Sequence, residues 1–178
     1  MLNLMHRLKV KRGDLVFVEG GVPHAIGSGC LICELQEPTD YMVIPERKSK
    51  SGVILADKKM HGGLGWEKMF DCFEYEGFAE EALRERFVRH SKLEENKLTD
   101  IVDESLTDKF KMKALYLEGT TSLGNMESFA VMVITDGECI LTCDGRQTKF
   151  KKGEQCFVSA NSGEIEISGN VKLVMCLP

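Results

Sequence analysis

Three residues near the start of this chain have types and spacing that could do chemistry: His24, Glu34 and Arg47. His24 follows Gly20-Gly21-Val22-Pro23 and precedes Ala25-Ile26-Gly27. A neutral imidazole held at a rigid turn is a good zinc ligand. Taken alone, a histidine is more often a structural residue than a ligand; the turn context of His24 favours the ligand reading. Glu34 lies in the apolar run Cys30-Leu-Ile-Cys-Glu-Leu-Gln36. Strand alternation there places Glu34 on one face with Ile32 and Gln36, and Cys33 and Leu35 on the other. A carboxylate aimed into a barrel is costly unless it meets a metal, a cation or a substrate hydroxyl. The same face, polar through Gln36, suits either a pocket lining or the solvent side of an edge strand. Arg47, Lys48 and Lys50 follow these segments and could grip a phosphate, or form a solvated run.

Other reactive types carry less. Cys30 and Cys33 have Cys-x-x-Cys spacing, but Cys139 and Cys143 are remote and spaced by four, so no second pair completes a zinc set. On a strand, Cys30 and Cys33 point to opposite faces, which predicts buried thiols. His6, His61 and His90 read as surface or loop residues. Gly62-Gly63-Leu64-Gly65 lacks the strand and helix context of a phosphate cradle.

The elements that must position these residues read as mainly β. Residues 8–18 predict strand, turn and strand, and 30–36, 41–44 and 53–55 predict further short strands. The middle differs: Ala79 to His90 has the periodicity of an amphipathic helix, with Glu80 and Arg84 at a favourable i,i+4 spacing. Residues 91–109 read as a polar linker with helical tendency. From Lys111 onward, strands are expected at 113–117, 129–135, 138–143, 147–150, 155–158, 164–167 and 172–176, separated by glycine turns. Many short strands at regular spacing imply a sandwich or small barrel.

A weak internal repeat joins the two β regions. Lys11-Arg-Gly-Asp-Leu-Val-Phe-Val matches Lys151-Lys-Gly-Glu-Gln-Cys-Phe-Val. In each copy a turn on Gly leads into a strand whose apolar residues are expected to face inward. Ten residues beyond the acid stands His24 in the first copy and Glu164 in the second. This suggests two related β units, the first alone built for chemistry; common Gly-acid turns give the same pattern.

Composition narrows the class. The chain has 178 residues, 43% hydrophobic and 29% charged, with net charge −5. No basic stripe marks a nucleic-acid binder, and no apolar run is long enough for a membrane helix. The opening residues lack the pattern of a signal peptide. A cytoplasmic protein is expected, its seven cysteines free rather than paired.

The segment from Gly13 to Arg47 closely resembles the type I mannose-6-phosphate isomerases. It carries a Gly-Asp turn (Gly13-Asp14), a Gly-x-x-His-Ala-Ile motif (Gly21 to Ile26), a Glu-x-Gln strand (Glu34 to Gln36) and then Asp40. The resemblance implies a cupin, or jelly-roll, fold in β-barrel units with a helical insertion. Residues 1–60 would be the end of the catalytic-type cupin unit, 61–110 the helical insertion and linker, and 111–178 a second, non-catalytic cupin unit. It implies zinc as cofactor and interconversion of mannose 6-phosphate and fructose 6-phosphate. His24 corresponds to the family's zinc-binding histidine, and Glu34 to a glutamate near both metal and sugar. The catalytic arginine of the family follows its Asp by four residues. From Asp40 that position is Ile44, and Arg47 is the remaining candidate for the role. The family's other zinc ligands, in a Gln-x-His-Pro motif and a later Glu, lie upstream of the part this chain matches. Two readings follow: a truncated or degenerate isomerase, completed as a homodimer or by a separate amino-terminal subunit, or a non-catalytic cupin module that binds a sugar phosphate or completes another subunit.

Overall fold

The computed structural model describes residues 5–37, 42–49 and 51–178. They divide into two compact units, one of Met1–Ile32 with Pro38–His90, the other of Cys33–Glu37 with Ser91–Pro178.

The first unit contains β1 (Asp14–Val16), α1 (Asp57–Met60), α2 (Trp66–Asp71), α3 (Glu80–Phe87) and β2 (Val88–His90). β1 and β2 pair antiparallel, Asp14 opposite His90. α3 follows the predicted amphipathic pattern, and Glu80 pairs with Arg84 at 3.4 Å. It ends at Phe87 because Val88, β-branched, turns into the strand that β1 needs as a partner. Met60, Met69, Phe87 and Val88 are the buried apolar residues described here.

The strands expected around β1 do not form among the described residues. Residues 30–37 carry no ladder, and Ile54 makes a single bridge to Lys48. The cause is partnership. A strand exists by exchanging N–H and C=O bonds with a neighbour, and this unit offers β1 just the three residues of β2. The alternation that was to aim Glu34 therefore does not operate. The apolar residues of these segments stay exposed: Ile26, Ile32, Met42, Val53, Ile54 and Leu31, the last at 86%. Nor are the two neighbouring thiols buried, since Cys30 is exposed and Cys33 half-buried.

The second unit is all β: β3 (Leu98–Val102), β4 (Lys111–Asn125), β5 (Ala130–Cys143), β6 (Arg146–Lys151), β7 (Gln155–Val158) and β8 (Glu164–Leu177). β3 replaces the helical tendency expected of 91–109, because Leu98 to Val102 finds an open edge on β4. The strand order is β3-β4-β8-β5-β6, with β7 also on β5, every pairing antiparallel. Of the seven short strands expected here, four fuse in pairs, 129–135 with 138–143 into β5 and 164–167 with 172–176 into β8. Inward positions on β8 run Ile165, Ile167, Val171, Leu173 and Met175, all buried. They meet Leu115 and Leu117 of β4 and Ala130, Met132 and Ile134 of β5 in one core.

β5 serves two partners along one edge. Ala130–Val133 pairs with β7 and Glu138–Cys143 with β6. The division falls at a register shift between Ile134 and Asp136, followed by Gly137 at φ 73°. The turn between β6 and β7 docks on this bend: Lys152 N donates to Gly137 O at 2.9 Å, and Gly153 N to Ile134 O at 2.9 Å.

That turn is the second copy of the repeat, and its geometry matches the first. Glu154 accepts the Lys151 N–H through its carboxylate at 2.9 Å, as Asp14 accepts that of Lys11 at 2.9 Å. Gly153 and Gly13 have φ 88° and 90°. The inward placement expected after the turn fails at Phe157, which is 66% exposed and stacks on Phe129 at 5.6 Å.

Gly169 occupies an inward position midway along β8, at φ 143°. A Cβ there would meet Glu138 O at 2.5 Å and Cys139 Cα at 2.9 Å. Gly169→Ala is expected to cost about 2–4 kcal/mol, from overpacking plus an unfavourable backbone region. Urea unfolding followed by circular dichroism measures it; an unchanged midpoint would show that the strands part freely here.

Candidate functional site

His24 sits in the first unit, after a turn that the chain holds firmly. Gly21 has φ 86°, its carbonyl accepts the Glu74 N–H at 2.8 Å, and an added Cβ would lie 3.0 Å from Cys72 O. Glycine is needed here for both the left-handed backbone and the close approach. The His24 ring is exposed, and its Nδ1 lies 2.9 Å from Val22 O. A carbonyl can only accept, so Nδ1 carries a proton, and in the neutral ring the lone pair is then on Nε2. Metal-binding histidines are commonly oriented by such a backbone bond.

One such nitrogen is not a zinc site. A catalytic zinc takes three protein ligands and an open position, and among the described residues no three of His, Cys, Asp and Glu come together. The donors present therefore fit one corner of a zinc site and do not fit the whole.

Glu34 is exposed and belongs to the short segment Cys33–Glu37, which groups with the second unit. Arg47 belongs to the first unit and is built into a cluster. Its guanidinium pairs with Asp57 at 2.9 Å, with both side chains more than half exposed, and lies 5.7 Å from the centre of the Trp66 ring. Trp66 stacks on Phe70 at 6.2 Å and meets the edge of His61 at 5.5 Å. His61 accepts the N–H groups of Gly63 and Gly65 on Nδ1, at 3.1 and 3.2 Å. It shapes the glycine loop, in keeping with its reading as a loop residue. Ile44 holds α1 through its backbone, N to Met60 O at 2.8 Å. Asp40 and Lys50 lie outside the described residues, and Lys48 is exposed.

Two arrangements were invisible in the sequence. Arg86 bridges Glu19 at 2.7 Å and Glu74 at 2.9 Å and packs on Phe78 and Phe87. This ties the end of α3 to the strand-like segment before His24. The hydrogen bonds to Glu74 and Glu19 raise its pKa further. The second arrangement is a pair of thiols. A hydrogen bond from Cys176 pulls Cys33 from the ordinary 9.0 down to about 7, against an opposing effect of burial. The same bond raises Cys176, with burial acting in the same direction.

The antiparallel second unit, with its bent strand shared between two neighbours, defines a cupin-type β fold. Residues 104–178 match the family model of the mannose-6-phosphate isomerase cupin domain. Over 175 residues, 97% of its length, the chain is 26% identical to mannose-6-phosphate isomerase ManA of Bacillus subtilis. It is 22% identical to YvyI of the same organism over 178 residues. It spans about half of these relatives, 51% of each. Mannose 6-phosphate isomerase of Salmonella typhimurium in its apo form shares the fold, with a TM-score of 0.50 and 20% identity; the match covers 62% of this chain and 27% of that one. By these matches the chain is similar to the carboxy-terminal, cupin part of the type I mannose-6-phosphate isomerases.

Thiolate is the form that alkylates. Iodoacetamide labelling of Cys33 should therefore rise with pH through about 7. In Cys176→Ala the midpoint should move up toward 9.0, because the group holding the thiolate is gone. Peptide-resolved mass spectrometry reads both; an identical midpoint in the variant removes Cys176 as the cause.

Proposed function

We propose that this chain supplies the carboxy-terminal half of a mannose-6-phosphate isomerase, and that its first unit is completed by polypeptide outside this sequence. The observation that carries the reading is a mismatch inside the first unit. The Gly-x-x-His-Ala-Ile motif is present and His24 is oriented, while the strand-like segments around it have no ladder and leave Ile26, Leu31, Ile32, Val53 and Ile54 exposed. Exposed apolar residues clustered in one region mark an interaction surface. Unpaired strand-like segments call for partners that supply hydrogen bonds. The chain's span, 51% of its relatives, leaves room for such a partner region.

In this reading the substrate is a hexose 6-phosphate in its open-chain form, and a proton moves between two neighbouring carbons. Glu34, an exposed carboxylate, is the proton-carrying group this chain would contribute. His24 would provide one nitrogen to a zinc ion whose other ligands come from the completing polypeptide. Arg47 would hold the phosphate by exchanging Asp57 for it, since a guanidinium suits planar, two-pronged recognition of either anion. No nucleic acid or membrane is required, and among the described residues no helix is long and apolar enough to cross a bilayer.

The test uses the native reading frame with whatever flanks this sequence. Zinc content and mannose 6-phosphate isomerisation, coupled to a fructose 6-phosphate-consuming enzyme, are measured together. His24→Ala should lose zinc and fall in kcat/KM by more than the roughly 10–100-fold typical of groups that merely orient a ligand. Circular dichroism of the variant should be unchanged. A folded wild type that holds no zinc and does not turn over mannose 6-phosphate would end the proposal and leave the non-catalytic module in its place.

A further inference from the structure

Arg47 has its backbone and its side chain fixed by different neighbours, all inside the first unit. Its carbonyl accepts the Leu55 N–H at 2.9 Å. Next to it, Lys48 bridges Ile54, and Ser49 closes the turn between them by accepting the Val53 N–H on Oγ at 3.1 Å. Ile44 N donates to Met60 O at 2.8 Å, which ties this turn to α1. Met60 of α1 and Met69 of α2 are 1% and 0% exposed, so both short helices are anchored. Those helices supply the two side chains that hold the guanidinium, Asp57 at 2.9 Å and Trp66 with its ring centre at 5.7 Å. Trp66 is braced in turn by Phe70 and by His61, and His61 is held by the N–H groups of Gly63 and Gly65.

We propose that residues 44–66 form a self-contained receptor for a phosphate monoester dianion, in which Trp66 is the positioning residue for Arg47 and Asp57 is an internal counter-ion that the ligand displaces. The two contacts ask different things of Arg47. An indole ring attracts a guanidinium without using any of its N–H donors. Asp57 does use them, but both partners are more than half exposed, and exposed ion pairs are weak. A phosphate dianion brings more charge and more acceptor oxygens to the same planar fork. It therefore takes the place of Asp57 while Trp66 keeps the guanidinium where it is. This deepens the reading that gives Arg47 the phosphate. It adds that the anion site is complete within this chain, whereas the zinc site is not, and that Asp57 lowers affinity.

Inorganic phosphate is titrated into the purified full chain at constant ionic strength, with chloride as the control salt. Its phosphorus resonance gives the affinity. Trp66 is the single tryptophan of the chain, so intrinsic emission reports on the ring beside Arg47. Both signals should saturate at one phosphate concentration and ignore chloride. Asp57→Asn should tighten binding roughly two- to fivefold, the range an exposed ion pair spans. Trp66→Leu should weaken it by roughly two- to fivefold, and Trp66→Phe, which keeps an aromatic face, should restore most of the loss. Arg47→Gln should abolish saturation, with circular dichroism unchanged in every variant. The proposal is overturned if folded wild type shows no saturable binding, if Arg47→Gln still binds, if Asp57→Asn binds no tighter, or if Trp66→Leu binds as well as wild type. An inactive isomerase assay beside an intact phosphate response would end the earlier reading alone. Turnover without that response would end this one alone.

Discussion

β8 is hydrogen-bonded along both edges, to β4 from Lys111 to Asn125 and to β5 from Val131 to Cys143. A buried strand must place every N–H and C=O it carries, and here the two neighbours accept that demand over fourteen residues of β8. Once those ladders are fixed, the inward side of β8 becomes a continuous apolar ridge, from Ile165 to Met175, that β4 and β5 can close over. Gly169 is the one inward position where the ridge must vanish, because β5 passes too close for a side chain. The rest of the second unit follows from these pairings, including the bend that lets β5 serve β6 and β7 in turn.

The first unit faces the same requirement and meets it differently. Its residues 10–55 have as strand-like a pattern as those after 111, but β1 is three residues long and pairs with an equally short β2. Local chemistry is nevertheless well satisfied. Arg86 bridges Glu19 and Glu74, His90 meets the nearly buried carboxylate of Asp14 at 3.1 Å, and Arg47 is held by Asp57 and Trp66. These polar contacts set turns and loop positions. They do not bury Ile26, Leu31, Ile32, Met42, Val53 and Ile54, which stay exposed.

The second unit was largely legible in the sequence, because alternation and glycine turns are local signals and its partners lie within the chain. β7 falls on the expected residues, β4, β5, β6 and β8 overlap the expected ranges, and β3 stands where a linker with helical tendency was expected. Fusion of short strands was missed because Gly137 and Gly169 read as turns, whereas the ladders run on past both of them. The first unit was misread for the converse reason: periodicity reports which faces a strand would have, and says nothing about whether a neighbour exists. The turn before His24 was legible, because glycines and proline announce it. The surroundings of Arg47 were not, since its partners Asp57 and Trp66 come from later helices. The meeting of Cys33 with Cys176 has no local signal at all, since it depends on how the second unit folds back on an early segment.

The matched turns at Lys11–Asp14 and Lys151–Glu154 bear on how ancestry should be read in this chain. In both, a left-handed glycine lets the following acid reach back to the amide of the lysine. A chain reversing direction in this way favours a glycine followed by an acid, whatever its origin. Likeness at these positions thus records a geometric solution, and a case for duplication of an ancestral half would have to be made from the strands instead, where β1 and β7 keep quite different company.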